Sequence, residues 1–145
     1  MVTSRMARHL ALQALYEIDC AQHNPETVLR ARLETQPLSK RNEEFMRCLV
    51  EGVLKHREAL DSLIYKHAPE WPLDQMAVVD RNILRMAIYE FVIGQTTPVK
   101  VAIDEAVELA STFGSDSTPR FINGVLGTLA AKRAELTAAF GQSSE

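Results

Sequence analysis

The sequence predicts an all-α protein, and three features of its 145 residues carry that reading. Apolar side chains recur at i, i+3 and i+4 along most of the chain. Glycine and proline are scarce, at six each, and the alternation of a half-buried strand is nearly absent. About six or seven helices with short connections are expected, in a single domain over 1–145.

Ser4 is placed to cap a first helix reaching about Gln22, with a stripe of Ala7, Ala11, Ala14, Leu15, Ile18 and Ala21 flanked by Leu12. Asn24 and Pro25 read as the N-cap and first residue of a short helix to about Thr35, which Gln36 and Pro37 end. Ser39 caps the next stretch, where Phe45, Leu49, Val53, Leu60, Leu63 and Ile64 form a stripe as far as His67. That stretch is either one long helix or two with a break near His56. Pro69 and Pro72, around Glu70 and Trp71, mark the clearest internal boundary. It separates an N-terminal helical subdomain, about 4–68, from a C-terminal one, about 73–140. Each is too short to stand alone, so a shared core is expected.

From Leu73 the helical pattern resumes, with Val79, Ile83, Leu84, Ala87, Ile88 and Phe91 facing inward. Pro98 opens a helix carrying Val99, Ile103, Ala106, Val107, Ala110 and Phe113, and Gly114 stops it. Ser117 or Thr118, then Pro119, opens the last helix, with Ile122, Val125, Leu126 and Leu129. The tail after about Phe140 should fray.

Composition narrows the function. Apolar residues are 46% and charged residues 24%, which suits a folded soluble domain. No stretch approaches the roughly 20 apolar residues of a membrane helix, and no signal-peptide pattern opens the chain. Two cysteines, Cys20 and Cys48, lack C-x-x-C spacing, so a reducing cytoplasm is expected. Net charge is −3, against the basic surplus of most autonomous nucleic-acid binders. The head of the chain differs: to Tyr16 its charged side chains are Arg5 and Arg8, joined by the α-amino group.

No motif with catalytic mechanics is present: no phosphate-binding glycine loop, no H-E-x-x-H and no G-x-S-x-G. His9, His23, His56 and His67 lack ligand spacing, so neither a metal nor a cofactor is expected. Cys48 follows Arg47 but reads as a small buried residue of a helix. Asp104, Glu105 and Glu108 follow Pro98 in the first turns of a helix, where acids favour the dipole. An enzyme is not expected.

Three segments together resemble the NusB family. The first is RMARHLALQALY at 5–16. The second is WPL at 71–73 followed by VDRNILRMAIYE at 79–90. The third joins PVKVAIDEAVELA at 98–110 to FG at 113–114 and PRFINGVL at 119–126. Order and spacing agree from about Arg5 to Leu129. The resemblance implies two small perpendicular helical bundles. It implies binding to boxA-type single-stranded RNA of nascent ribosomal transcripts together with NusE, a small-subunit ribosomal protein. It implies contact with the RNA polymerase elongation complex through other Nus factors. The sequence leaves monomer or homodimer open: some members of the family self-associate, and an amphipathic first helix can serve a second copy as well as a partner.

Candidate RNA contacts are Arg5, Arg8, Lys100, Ser115, Ser117, Arg120 and Phe121. Arg5 and Arg8, at i and i+3, can reach one phosphate track; the plain alternative is two solvated surface arginines. The 114–121 loop offers a helix N-terminus, a cation and an aromatic ring; the alternative is a capped turn with Phe121 in the core. Asn123 and Gly124 read as serving helix packing or turn geometry. Candidate partner contacts, by the resemblance, are Tyr16, Asp74, Asp80, Arg85 and Glu90. The chain departs from the family where Ser4 and Met6 replace basic residues and Ser117 replaces an aspartate. The thinned arginine cluster keeps open a second reading, a protein-interaction module that has lost RNA recognition. A third, a fragment of an RNA methyltransferase, is disfavoured by the missing glycine motif.

Overall fold

The computed structural model describes the backbone of residues 2–143 and the side chains of residues 4–138. Among the described residues there are eight α-helices: α1 (Val2–Ala21), α2 (Pro25–Thr35), α3 (Lys40–Lys55), α4 (Arg57–His67), α5 (Val78–Ile88), α6 (Val99–Phe113), α7 (Thr118–Ala131) and α8 (Arg133–Ser143). A 3₁₀ turn at Leu73–Gln75 precedes α5, and a π turn at Tyr89–Ile93 extends it.

Local chemistry sets several boundaries. The side chain of Asn24 accepts from the Thr27 amide and that of Ser39 from the Asn42 amide, so both act as N-caps. The stretch to His67 breaks at His56, whose backbone (φ −106°, ψ 16°) leaves the helical region. Gln22 takes a left-handed φ of 56° to end α1, a position where glycine is usual.

Four boundaries differ from expectation. Ser4 lies inside α1 rather than capping it, and its hydroxyl accepts from Arg8 Nη1 at 3.3 Å. Helix α5 starts at Val78, because the 3₁₀ turn takes up the residues after Pro72. The last helical stretch breaks at Lys132, whose ammonium turns to the His67 carbonyl at 2.9 Å and answers an orphan acceptor at the end of α4. The chain then continues as α8 through Ser143, beyond the expected fraying point. Residues 144–145 and the α-amino group of Met1 lie outside the described residues.

Helix α1 lies against α3 and α5, with α2 crossing its C-terminal half. Ala7, Ala11 and Ala14 are fully buried, and their small side chains permit this close approach. Helix α5 is central, touching α1, α3, α4, α6 and α7; α6 pairs with α7, and α8 folds back onto the π turn. One apolar cluster runs from Ala7 to Leu136 without a gap at the 69–72 boundary. Fully buried members such as Leu12, Leu15, Ile64 and Phe91 each contribute about 1.5–3 kcal/mol. Ala21 is exposed, and α6 buries Ala102, Ala106, Leu109 and Ala110, a face rotated from the expected stripe. Cys48 is exposed rather than buried, with its sulfur 3.9 Å from the Tyr89 hydroxyl.

Candidate nucleic-acid interface

Helix α6 is the spine of the site. The N-terminal turns of α1 lie across it, and cations on one helix meet carboxylates on the other. Arg5 donates from Nε and Nη2 to the two oxygens of Glu105, at 3.1 and 2.8 Å. Its Nε also lies 3.9 Å from Glu108, and its side chain remains 51% exposed. His9 Nε2 sits 2.9 Å from Glu108, with its ring edge-on to Phe113. Glu108 also accepts from the Thr112 hydroxyl.

Arg8 turns inward. Its guanidinium is 6% exposed and donates to both oxygens of Glu90, at 3.1 and 2.7 Å. Phe45 covers its face with a ring centre 5.0 Å away, and the Thr97 hydroxyl donates to Glu90 at 2.7 Å. The π turn carries Glu90 into this buried position. Arg5 and Arg8 are therefore not a pair of solvated arginines: one is paired and reachable, the other is internal. Nor do Glu105 and Glu108 lie in the first turn of α6; they are the counter-charges of α1. The signal was present as i, i+3 spacing on both helices, but only the packing of α1 on α6 joins the two.

The remaining RNA candidates lie along and beyond α6. Lys100 is 87% exposed near its start, 3.4 Å from Asp104. Ten residues separate Glu105 from Ser115, so the loop lies about 15 Å along the axis from Arg5. Thr118, buried, organises that loop: its hydroxyl accepts from the Ser115 amide at 3.0 Å and donates to Asp80 at 3.3 Å. Ser115, Ser117 and Arg120 are exposed at the loop surface. Phe121 is half-buried, edge-on to Trp71 at 6.4 Å, so it belongs partly to the core. Gly114 allows the turn by close approach, because a Cβ there would meet the Thr118 side chain at 2.6 Å. Gly124 serves neither packing nor a turn: it lies within α7, and a Cβ there meets nothing within 4 Å.

The partner candidates divide as well. Tyr16 is 44% exposed, and Asp74 is exposed on the rim of a cleft of about 1170 Å³ with Ile18, Tyr65, Trp71 and Leu73 on its walls. Asp80 is half-buried; burial pushes its carboxyl up from the usual range, and the Thr118 hydrogen bond pulls the other way. Arg85 and Glu90 do not present their charges outward. Arg85 is clamped by Asp61 at 2.8 and 2.9 Å and by Asp19 at 3.2 Å. Asp19, missed in the sequence, also accepts from Arg81 and Asn82 at 3.0 Å each. Its three donors come from α5, more than sixty positions later in the chain.

No group of three or more histidine, cysteine or acidic side chains suited to a metal occurs among the described residues. No helix among them is long and apolar enough to cross a membrane. Fold and site together define a small all-helical protein with a mixed-charge face where α1 meets α6 and a cleft at the C-terminal end of α1. The sequence model of the NusB family matches residues 5–131, and the chain belongs to that family. It is 50% identical to the transcription antitermination protein NusB of Dehalococcoides mccartyi (strain CBDB1), over 89% of this chain and 91% of that one. It is 46% identical to the NusB of Roseiflexus sp. (strain RS-1), over 90% and 94%. Among solved structures it resembles T. maritima NusB, with a TM-score of 0.81, 32% identity and coverage of 90% and 92%. It also resembles a chain from the crystal structure of the antitermination factors NusB and NusE with double-stranded RNA, with a TM-score of 0.80, 26% identity and coverage of 96% and 98%.

Proposed function

We propose that this protein is a cytoplasmic, non-enzymatic transcription antitermination factor. It binds boxA-type single-stranded RNA of nascent ribosomal transcripts together with NusE and joins the RNA polymerase elongation complex through other Nus factors. The observation that carries this reading is membership of the NusB family along nearly the whole chain. The line of exposed groups along α6 supports it: Lys100, Arg5, then Ser115, Ser117 and Arg120, with the half-buried Phe121 ring at the end.

In this reading Arg5, Lys100 and Arg120 meet phosphates and the loop hydroxyls meet the backbone or a base edge. Arg8 acts indirectly, by fixing the start of α1 on Glu90. On the partner side Tyr16, Asp74 and Asp80 make contact, while Arg85 and Glu90 hold the helices that present them. The subdomains of about 4–68 and 73–140 work as one unit over their shared core. A basic partner would complete an RNA surface that this acidic chain supplies only in part.

The internal pairing of Arg5 and Arg8 favours one second reading, a protein-interaction module without RNA recognition. Fluorescence anisotropy of labelled boxA RNA, with a scrambled control and with or without NusE, separates the two. Preference for boxA that tightens with NusE supports antitermination. Binding to NusE with indifference to RNA sequence supports the module. A homodimer that covers Arg5 and Arg8 would appear in the same titration as RNA affinity that weakens with rising protein concentration.

A further inference from the structure

We propose that Glu105 and Glu108 limit the RNA affinity of this protein by competing with RNA phosphates for Arg5. The inference rests on the reading of Arg5 as a phosphate contact and adds to it the residues that regulate that contact.

Glu105 holds the Nε/Nη2 edge of Arg5 with two parallel hydrogen bonds, the geometry in which a guanidinium also takes a phosphate. Neither carboxylate can swing away freely. Glu105 is 15% exposed and lies 3.7 Å from Arg8 as well; Glu108, 23% exposed, is held by His9 and Thr112. A phosphate approaching Arg5 must displace Glu105, leaving a half-buried carboxylate short of donors, or bind the remaining edge with that carboxylate behind it.

Charge counting points the same way. The cluster holds two guanidiniums, Arg5 and Arg8, against three carboxylates, Glu90, Glu105 and Glu108. With His9 neutral the cluster is net negative, although the N-terminal turns of α1 alone look basic. The Arg5 hydrogen bonds and charge hold the Glu105 carboxyl below its usual range, so it stays ionised under ordinary binding conditions. The opposing expectation is that Glu105 helps RNA by orienting Arg5. Fixed negative charge within about 6 Å of a phosphate outweighs that gain in a partly desolvated site.

The test is Glu105→Gln, which keeps the side-chain shape and one acceptor while removing the charge. Affinity for boxA-type RNA is measured on the full chain at two salt concentrations, with a thermal melt to verify folding. Binding should tighten about three- to tenfold at low salt, and the gain should shrink at high salt. The gain should vanish in an Arg5→Ala background. Unchanged or weaker binding overturns the proposal, as does a gain that survives without Arg5. If Glu105→Gln does not fold, Glu108→Gln, which leaves the bidentate pair intact, carries the test with an expected gain of about twofold. Wild-type protein that binds boxA while no variant gains affinity refutes only this inference. Absence of boxA binding in every variant, with or without NusE, refutes the proposed function itself.

Discussion

Asp19 gathers Arg81, Asn82 and Arg85 around one carboxylate, and its acidity records the balance of forces there. Burial alone would push it up, but hydrogen bonds from Arg81 and Asn82 and the charge of both arginines hold it below the usual range. A folded-state value below the unfolded one means the stabilisation is complete above about pH 4 and is lost as pH falls through the lowered value. Urea midpoints measured from pH 6 to pH 2 should therefore fall more steeply in the wild type than in Asp19→Asn. Asp19→Ala leaves Arg81 and the buried Asn82 without their shared acceptor, while Arg85 keeps Asp61, and should cost about 1–3 kcal/mol near neutral pH. Asp80 behaves oppositely. Burial raises its carboxyl, so Asp80→Asn should keep or slightly raise the melting temperature while weakening NusE binding. A matched loss of stability would assign Asp80 to the scaffold instead.

At the scale of elements, the π turn shows what periodicity could not foresee. The 3.6-residue pattern continues through Phe91, yet the Gly94 amide bonds to the Tyr89 carbonyl, which widens the helix and brings Glu90 inside. The Tyr89 ring then rests between Gly52 and Gly94; a Cβ on Gly52 would overlap it, far inside van der Waals contact. Gly52→Ala must expel that ring from its stack on His56 and should cost roughly 1–2 kcal/mol, read as a lower melting temperature. Gly124, with open space around its missing Cβ, predicts the reverse. Gly124→Ala should stabilise α7 by about 0.5–1 kcal/mol. Helices announced by local chemistry were readable in advance, because Asn24, Ser39 and Pro98 act within one turn of themselves. The π turn and the break at Lys132 were not, since side-chain contacts with distant elements decide them.

Over the whole molecule, the all-helical architecture and most of the core were legible from apolar spacing, and the family from three ordered segments. What the sequence hid was which charges face each other. Arg8 and Glu90 stand 82 positions apart and Arg5 and Glu105 stand 100 apart, and nothing local to Arg8 or Glu90 says it is buried. The candidate RNA surface was accordingly half legible: its exposed loop was found, its neutralising carboxylates were not. Arg5→Ala should reduce the dependence of log affinity on log salt by about one unit with only a small drop in melting temperature, because Glu105 keeps Arg8 at 3.7 Å. Arg8→Ala should instead destabilise the fold by about 3 kcal/mol, because it leaves Glu90 buried and unpaired. An Arg8→Ala protein with wild-type stability would refute that division of labour.

The same separation has a consequence for how the chain is made. At roughly 5–20 residues per second, Arg8 leaves the ribosome about 4–16 s before Glu90 does. Throughout that interval the start of α1 carries uncompensated positive charge close to ribosomal RNA, although the finished protein is acidic. Its arginines are quenched only when the second half of the chain arrives. Stalled chains ending before residue 90 should therefore crosslink to RNA through residues 5–8, and chains extending past α6 should release it.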